Sequence, residues 1–115
     1  VGDEVDADFE QMTLVQGYDH NWVLKNHGKL EQIAQVEDDR SGITMEVYTD
    51  LPGVQFYAGN CITPQKGKGG VSYGKRHALC LETQYFPNSV NIPAFEQPVF
   101  DAGEHCKTTT IYKFR

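Results

Sequence analysis

No stretch of this chain carries apolar residues at i, i+3, i+4 and i+7 over enough turns to lay one apolar stripe against a core. Instead six short segments are rich in β-branched and aromatic residues: "HNWVL" at 20–24, "LEQIAQVED" at 30–38, "ITMEVYTD" at 43–50, "VQFYAGN" at 54–60, "HALCLETQYF" at 77–86 and "KTTTIYKF" at 107–114. Each is bounded by Gly, Pro, Asn or Asp, the residues that favour turns over strands. A chain so punctuated can bury a face only by pairing strands, so the pattern predicts an all-β fold, an antiparallel β-sandwich. "FEQM" at 9–12 has room for a turn of helix. "DDRSG" at 38–42 has the makings of a hairpin connection whose flanking strands pair antiparallel, and "DLPG" at 50–53 has the Pro and Gly of a tight turn. The Gly- and Lys-rich run at 64–75 is longer than a hairpin needs and is expected to form a long loop.

At 115 residues with no internal repeat and no evident linker, the chain suits one modest core spanning 1–115. A net charge of −6 argues against a surface that tracks phosphates, so nucleic acid is not an expected partner. No apolar run reaches the length of a membrane-spanning helix, roughly 20 residues, so no membrane partner is expected. The acidic "VGDEVDADFE" at the start does not have the make-up of an export signal, and Val1 in place of Met suggests a processing or truncation boundary. Cys61, Cys80 and Cys106 are odd in number and lack C-x-x-C spacing. They are expected to be reduced thiols, in a cytoplasmic protein.

Strand alternation singles out a few polar side chains. Along 77–86, Leu79, Leu81, Thr83 and Tyr85 fall on one face and Cys80, Glu82, Gln84 and Phe86 on the other. If the leucine face is the core face, Glu82 occupies the opposite surface, either solvated or acting in a groove; the pattern leaves both open. In "GYDHNWVL" Asp19 and Asn21 share a face with Val23, opposite His20, Trp22 and Leu24. Asp19 on its own suits a turn as well as a site. In "PGVQFYAGN" Gln55 shares a face with Tyr57, a pairing that suits a sugar but is also common on surfaces. "GGVSYGKR" at 69–76 has the Gly-x-x-x-x-Gly-Lys spacing of a phosphate loop, but Arg76 stands where Ser or Thr must hold magnesium and no helix follows. His20, His27, His77 and His105 show neither helical i, i+4 pairing nor zinc spacing, so no metal site is expected.

Taken in order, "GYDHNWVL", "MEVYTDLPGVQFYAGN", "HALCLETQYFPNSVNIPAF" and "FDAGEHCKTTTIYKF" resemble the C-terminal end of the aldose 1-epimerases, the family that includes the galactose mutarotases. The resemblance runs from about Gly17 to the end and, more loosely, through the acidic segment before it. It implies a portion of the family's antiparallel supersandwich and interconversion of the α and β anomers of aldohexoses such as galactose and glucose, with no cofactor. Carried over by motif, it implies that Glu82 of "LET" is the general base and that Asp19 of "DHN" and Gln55 of "PGVQFY" bind sugar hydroxyls.

The family is much longer than this chain. Its general-acid histidine, a second active-site histidine and an Asn-Arg pair precede the region matched here, and none of the four histidines corresponds to that acid. The resemblance therefore implies the C-terminal third of a single epimerase domain, completed by the N-terminal part of the same protein and inactive without it. Asn88 in "PNSVN" departs from the family's more usual Asp, at a turn. Two other readings remain: a non-catalytic carbohydrate-binding or sugar-phosphate epimerase relative, for which Lys66, Lys68, Lys75 and Arg76 are the suggestive feature, and a structural fragment with no role of its own.

Overall fold

The computed structural model describes residues 2–115. It is mostly strand and turn, with one short α-helix, α1 (Glu10–Val15), and a few single 3-10 turns. The strands are β1 (Asp19–Val23), β2 (Glu31–Glu37), β3 (Thr44–Thr49), β4 (Gly53–Tyr57), β5 (Gln65–Lys66), β6 (Ser72–Tyr73), β7 (Cys80–Gln84) and β8 (Thr110–Phe114). They form sheets in the orders β1-β4-β7 and β2-β3-β8, with β5 and β6 as a small pair. Each of the six β-prone segments contains or overlaps a strand, and the helical turn expected at 9–12 extends to Val15. The run at 64–75 is not a plain loop: Gln65 and Lys66 pair antiparallel with Tyr73 and Ser72. Gly67 permits this, since a Cβ there would run into the Tyr73 ring.

The chain divides into two compact units, Val1–Asn21 with Gln55–Glu82, and Trp22–Val54 with Thr83–Arg115. Strands β1, β4 and β7 each begin in one and end in the other.

In the first unit α1 stops because Gln16 turns into the left-handed region (φ 56°) and the Gly17 N–H folds back to the Met12 carbonyl at 3.0 Å, a common way for a helix to end. The helix buries Met12, which is 1% exposed. Asp6 pairs bidentately with the Arg76 guanidinium (2.9 and 2.5 Å), and the same guanidinium donates to the Gln16 carbonyl at 3.2 Å. One of the four cations that the sugar-phosphate reading draws on, Arg76, is thus tied to a carboxylate. Tyr18 is buried against Phe56, ring centroids 5.3 Å apart.

In the second unit β2 and β3 pair antiparallel from Glu31↔Thr49 to Glu37↔Thr44, with an irregularity at Ile33, and β8 adds to the far side of β3. The 38–42 connection is closed by Asp38, whose carboxylate accepts from the Ser41 N–H (2.9 Å) and hydroxyl (2.6 Å), while Gly42 takes a positive φ of 71°. An Asp side chain that bonds the backbone ahead of it in this way stabilises a turn. Val47 and Thr49 lie two apart on β3, so they share a face, and both are fully buried. Beside them Thr110 Oγ1 lies 3.3 Å from Thr49 Oγ1 and 2.5 Å from Thr83 Oγ1. Three hydroxyls thereby satisfy one another inside the core, as buried polar groups must. Asn26 is buried, and its Nδ2 donates to the Thr49 and Leu51 carbonyls, both at 2.9 Å. It supplies partners that the backbone lacks where the chain leaves β3 for β4.

On the other face of β3, the Tyr48 hydroxyl donates to Glu46 at 2.8 Å, and Lys113 and Arg115 approach the same carboxylate at 3.4 and 3.2 Å. The Tyr48 hydrogen bond, then the Lys113 hydrogen bond and the nearby charge of Arg115, hold the Glu46 carboxyl below its ordinary range against the opposing effect of desolvation. A carboxyl lowered in the folded state stabilises the fold above its unfolded-state pKa, and that contribution is lost as pH falls through the lowered value. Glu46→Gln is therefore expected to flatten the acid side of the stability profile, leaving a smaller drop in urea midpoint between neutral pH and the acid range than in the unsubstituted protein.

Candidate active site

Alternation sorts the first unit's strand residues onto two faces. The Ala58 N–H bonds the Tyr18 carbonyl at 3.0 Å, and in the second unit the Leu24 N–H bonds the Pro52 carbonyl at 2.9 Å. Strands β1 and β4 therefore run antiparallel with the same register at both ends. Tyr18, His20 and Phe56 then share one side, as their ring contacts confirm. Asp19, Asn21 and Gln55 share the other. Across that side Gln55 Nε2 donates to Asp19 Oδ1 at 2.7 Å.

Strand β7, which carries Glu82, is the neighbour of β4 in this sheet. Leu79, just before β7, lines a cleft of about 370 Å³ together with Tyr18, Phe56, Ala58, His77 and Ala78. Alternation along β7 puts Cys80 and Glu82 on the face opposite Leu81 and Thr83. The structure thus sets Asp19, Gln55 and Glu82 on the three neighbouring strands of the β1-β4-β7 sheet. Asp19 and Gln55 touch, whereas Glu82 is exposed and its carboxylate makes no hydrogen bond among the described residues. The expectation that the leucine face is a closed core is met only in part, since Leu79 is 42% exposed and Leu81 half-buried.

Backbone geometry holds Asp19 in place. Gly17 (φ 138°) lies so close to Asn60 that a Cβ would overlap the Asn60 side-chain oxygen. Asn60, itself buried, donates from Nδ2 to the Tyr18 carbonyl at 2.8 Å. The Asp19 N–H donates in turn to His20 Nδ1 at 3.0 Å. The two histidines of this unit both lie near Tyr18, His20 meeting its ring edge-on at a centroid distance of 5.9 Å and His77 lining the same cleft. Among the described residues no three His, Cys, Asp or Glu side chains converge as a metal cage, and no helix is long and apolar enough to cross a membrane.

Such a sheet offers an exposed carboxylate, that of Glu82, and a carboxylate–amide pair. Carboxylate oxygens accept hydrogen bonds from sugar hydroxyls, and an exposed carboxylate at neutral pH is available as a proton acceptor. A sequence profile described as aldose 1-epimerase matches residues 2–113. The chain belongs to the aldose 1-epimerase family. This epimerase-family chain is 46% identical over 101 residues to the galactose mutarotase of Mus musculus, covering 87% of the chain and 30% of that relative. The galactose mutarotase of Homo sapiens is 44% identical over the same length. The aldose 1-epimerase of Escherichia coli strain K12 is 32% identical over 117 residues, covering 99% of the chain and 34% of the relative. The chain thus spans about a third of the length of the relatives it matches.

Sequence pattern alone does not single out the Gly17–Asn60 lock, although "GYD" places a glycine two residues before the carboxylate it positions. Gly17→Ala combines a positive φ with a steric overlap at a buried amide. It is expected to cost about 1–3 kcal/mol of stability, read from urea unfolding of the variant against the unsubstituted protein.

Proposed function

We propose that this chain is the C-terminal part, 1–115, of a single aldose 1-epimerase domain and supplies the base and part of the hydroxyl-binding surface for interconverting the anomers of aldohexoses such as galactose and glucose. The observation that carries the reading is the hydrogen bond from Gln55 to Asp19, in the sheet whose third strand bears Glu82. Relatives named galactose mutarotase and aldose 1-epimerase support the reaction class.

In the proposed reaction the Glu82 carboxylate accepts the proton of the anomeric hydroxyl. The electron pair of that O–H becomes the second C1–O bond, the bond from C1 to the ring oxygen breaks, and the ring oxygen takes a proton from an acid. Rotation about C1–C2 presents the other face of the aldehyde, and the reverse steps close the ring as the other anomer. Every proton removed is returned, so neither cofactor nor metal is required. Asp19 and Gln55 hold ring hydroxyls while C1 turns.

The acid belongs to the N-terminal part of the same protein, as the resemblance to the family implies. The chain on its own is then inactive. Three exposed, free cysteines, Cys61, Cys80 and Cys106, favour a reducing, cytoplasmic setting.

In the full-length protein Glu82→Gln is expected to lower kcat for galactose mutarotation, followed by optical rotation, by roughly 10²–10⁴-fold with little change in galactose affinity. Retained turnover would remove Glu82 from the base role. The isolated 115-residue chain is expected to leave the buffer rate of mutarotation unchanged, and acceleration by that chain would refute the need for an external acid.

A further inference from the structure

Two amide groups on the Asp19 side each leave one shielded atom without a partner. Gln55 Nε2 is committed to Asp19, but Gln55 Oε1 is shielded from solvent and has no partner. Asn21 Nδ2 is shielded and without a partner as well. One is a surplus acceptor, the other a surplus donor. Counting three residues along each strand from the Tyr18–Ala58 bond sets Asn21 directly across from Gln55. Side chains so placed in an antiparallel pair lie roughly 5 Å apart at Cβ. A buried polar atom left unpaired costs free energy comparable to a lost hydrogen bond, and these two complement each other.

The order of groups also has only one workable polarity. With Gln55 Nε2 toward Asp19, its Oε1 is turned to the Asn21 donor. Were the amide reversed, an oxygen would meet the Asp19 carboxylate and an NH₂ group would meet another NH₂ group, so both ends would repel. Neither shielded atom can be the first contact of a ligand arriving from solvent. Their effect must pass through the Gln55 amide.

We infer that Asn21 is a positioning residue: with a sugar on this face its Nδ2 donates to Gln55 Oε1, locking the Gln55 amide so that Nε2 stays on Asp19 Oδ1 and Asp19 Oδ2 stays free for a sugar hydroxyl. The inference rests on the proposed role of Asp19 and Gln55 as hydroxyl-binding residues. It adds a third residue, Asn21, that touches the sugar only through Gln55.

The test is a double-mutant cycle in the full-length protein with galactose, reading KM and kcat by optical rotation and Kd by calorimetry. Asn21→Ala is expected to raise KM and Kd by roughly tenfold, the effect of one uncharged hydrogen bond, with kcat changed by less than about twofold. In the Gln55→Ala background the same substitution is expected to add nothing. Asn21→Asp keeps the shape but sets an acceptor against Gln55 Oε1, so it should lose at least as much affinity, and it carries the test if Asn21→Ala does not fold. Unchanged KM and Kd, or an effect that adds in full to that of Gln55→Ala, would overturn the inference. So would a fall in kcat and melting temperature with KM unchanged, which marks a structural role. An unsubstituted protein that binds galactose with the expected coupling but does not interconvert its anomers would sink the reaction while sustaining the role of Asn21. One that binds no aldose would sink both.

Discussion

The pairing of β1 with β4 is the constraint on which the rest depends. Side chains of an antiparallel pair alternate in step, so a single register decides at once which residues enter the core and which face outward. With Tyr18 opposite Ala58, Tyr18 meets Phe56 on one side and Asp19 meets Gln55 on the other. A slip of one residue would exchange the two sets, burying a carboxylate and exposing two aromatic rings. The buried Asn60, donating to the Tyr18 carbonyl beside a glycine with no room for a side chain, fixes the end of β1 against such a slip.

The strands are legible in the sequence because their signals are local. Each of the six segments has its β-prone residues and its turn residues close together, so the pattern marks a strand wherever a longer one forms. Strands β5 and β6, two residues each, are too short to show a period, and their pairing depends on Gly67 accepting the Tyr73 ring. The distribution of strands between sheets is not legible either. Strands β3 and β8 are far apart in the chain, and the Thr49–Thr110–Thr83 hydroxyl cluster draws on three distant segments.

The candidate site divides in the same way. That Asp19 shares a face with Asn21, and Glu82 a face with Cys80, follows from alternation within one strand. That Gln55 hydrogen-bonds Asp19 depends on a neighbour 36 positions away and emerges only from the fold. The shielded, unpartnered amide atoms of Asn21 and Gln55 cannot be read from composition or spacing, because only packing shows which polar atoms are cut off from water.

Apolar side chains stay open in both units. Trp22 is 52% exposed in the second unit and Leu79 42% exposed in the first. The Asp19 face has its own bias. The oxygen Asp19 Oδ2 is an acceptor, so this surface welcomes groups that bring a proton. In the proposed reaction, ring opening turns C1–OH, which donates, into an aldehyde oxygen, which does not. Asp19 would then grip the hydroxyl-bearing carbons and have no hold on the carbonyl end. A surface with this one-sided polarity would act as a swivel mount, holding the body of the sugar still while leaving its reactive end free to turn.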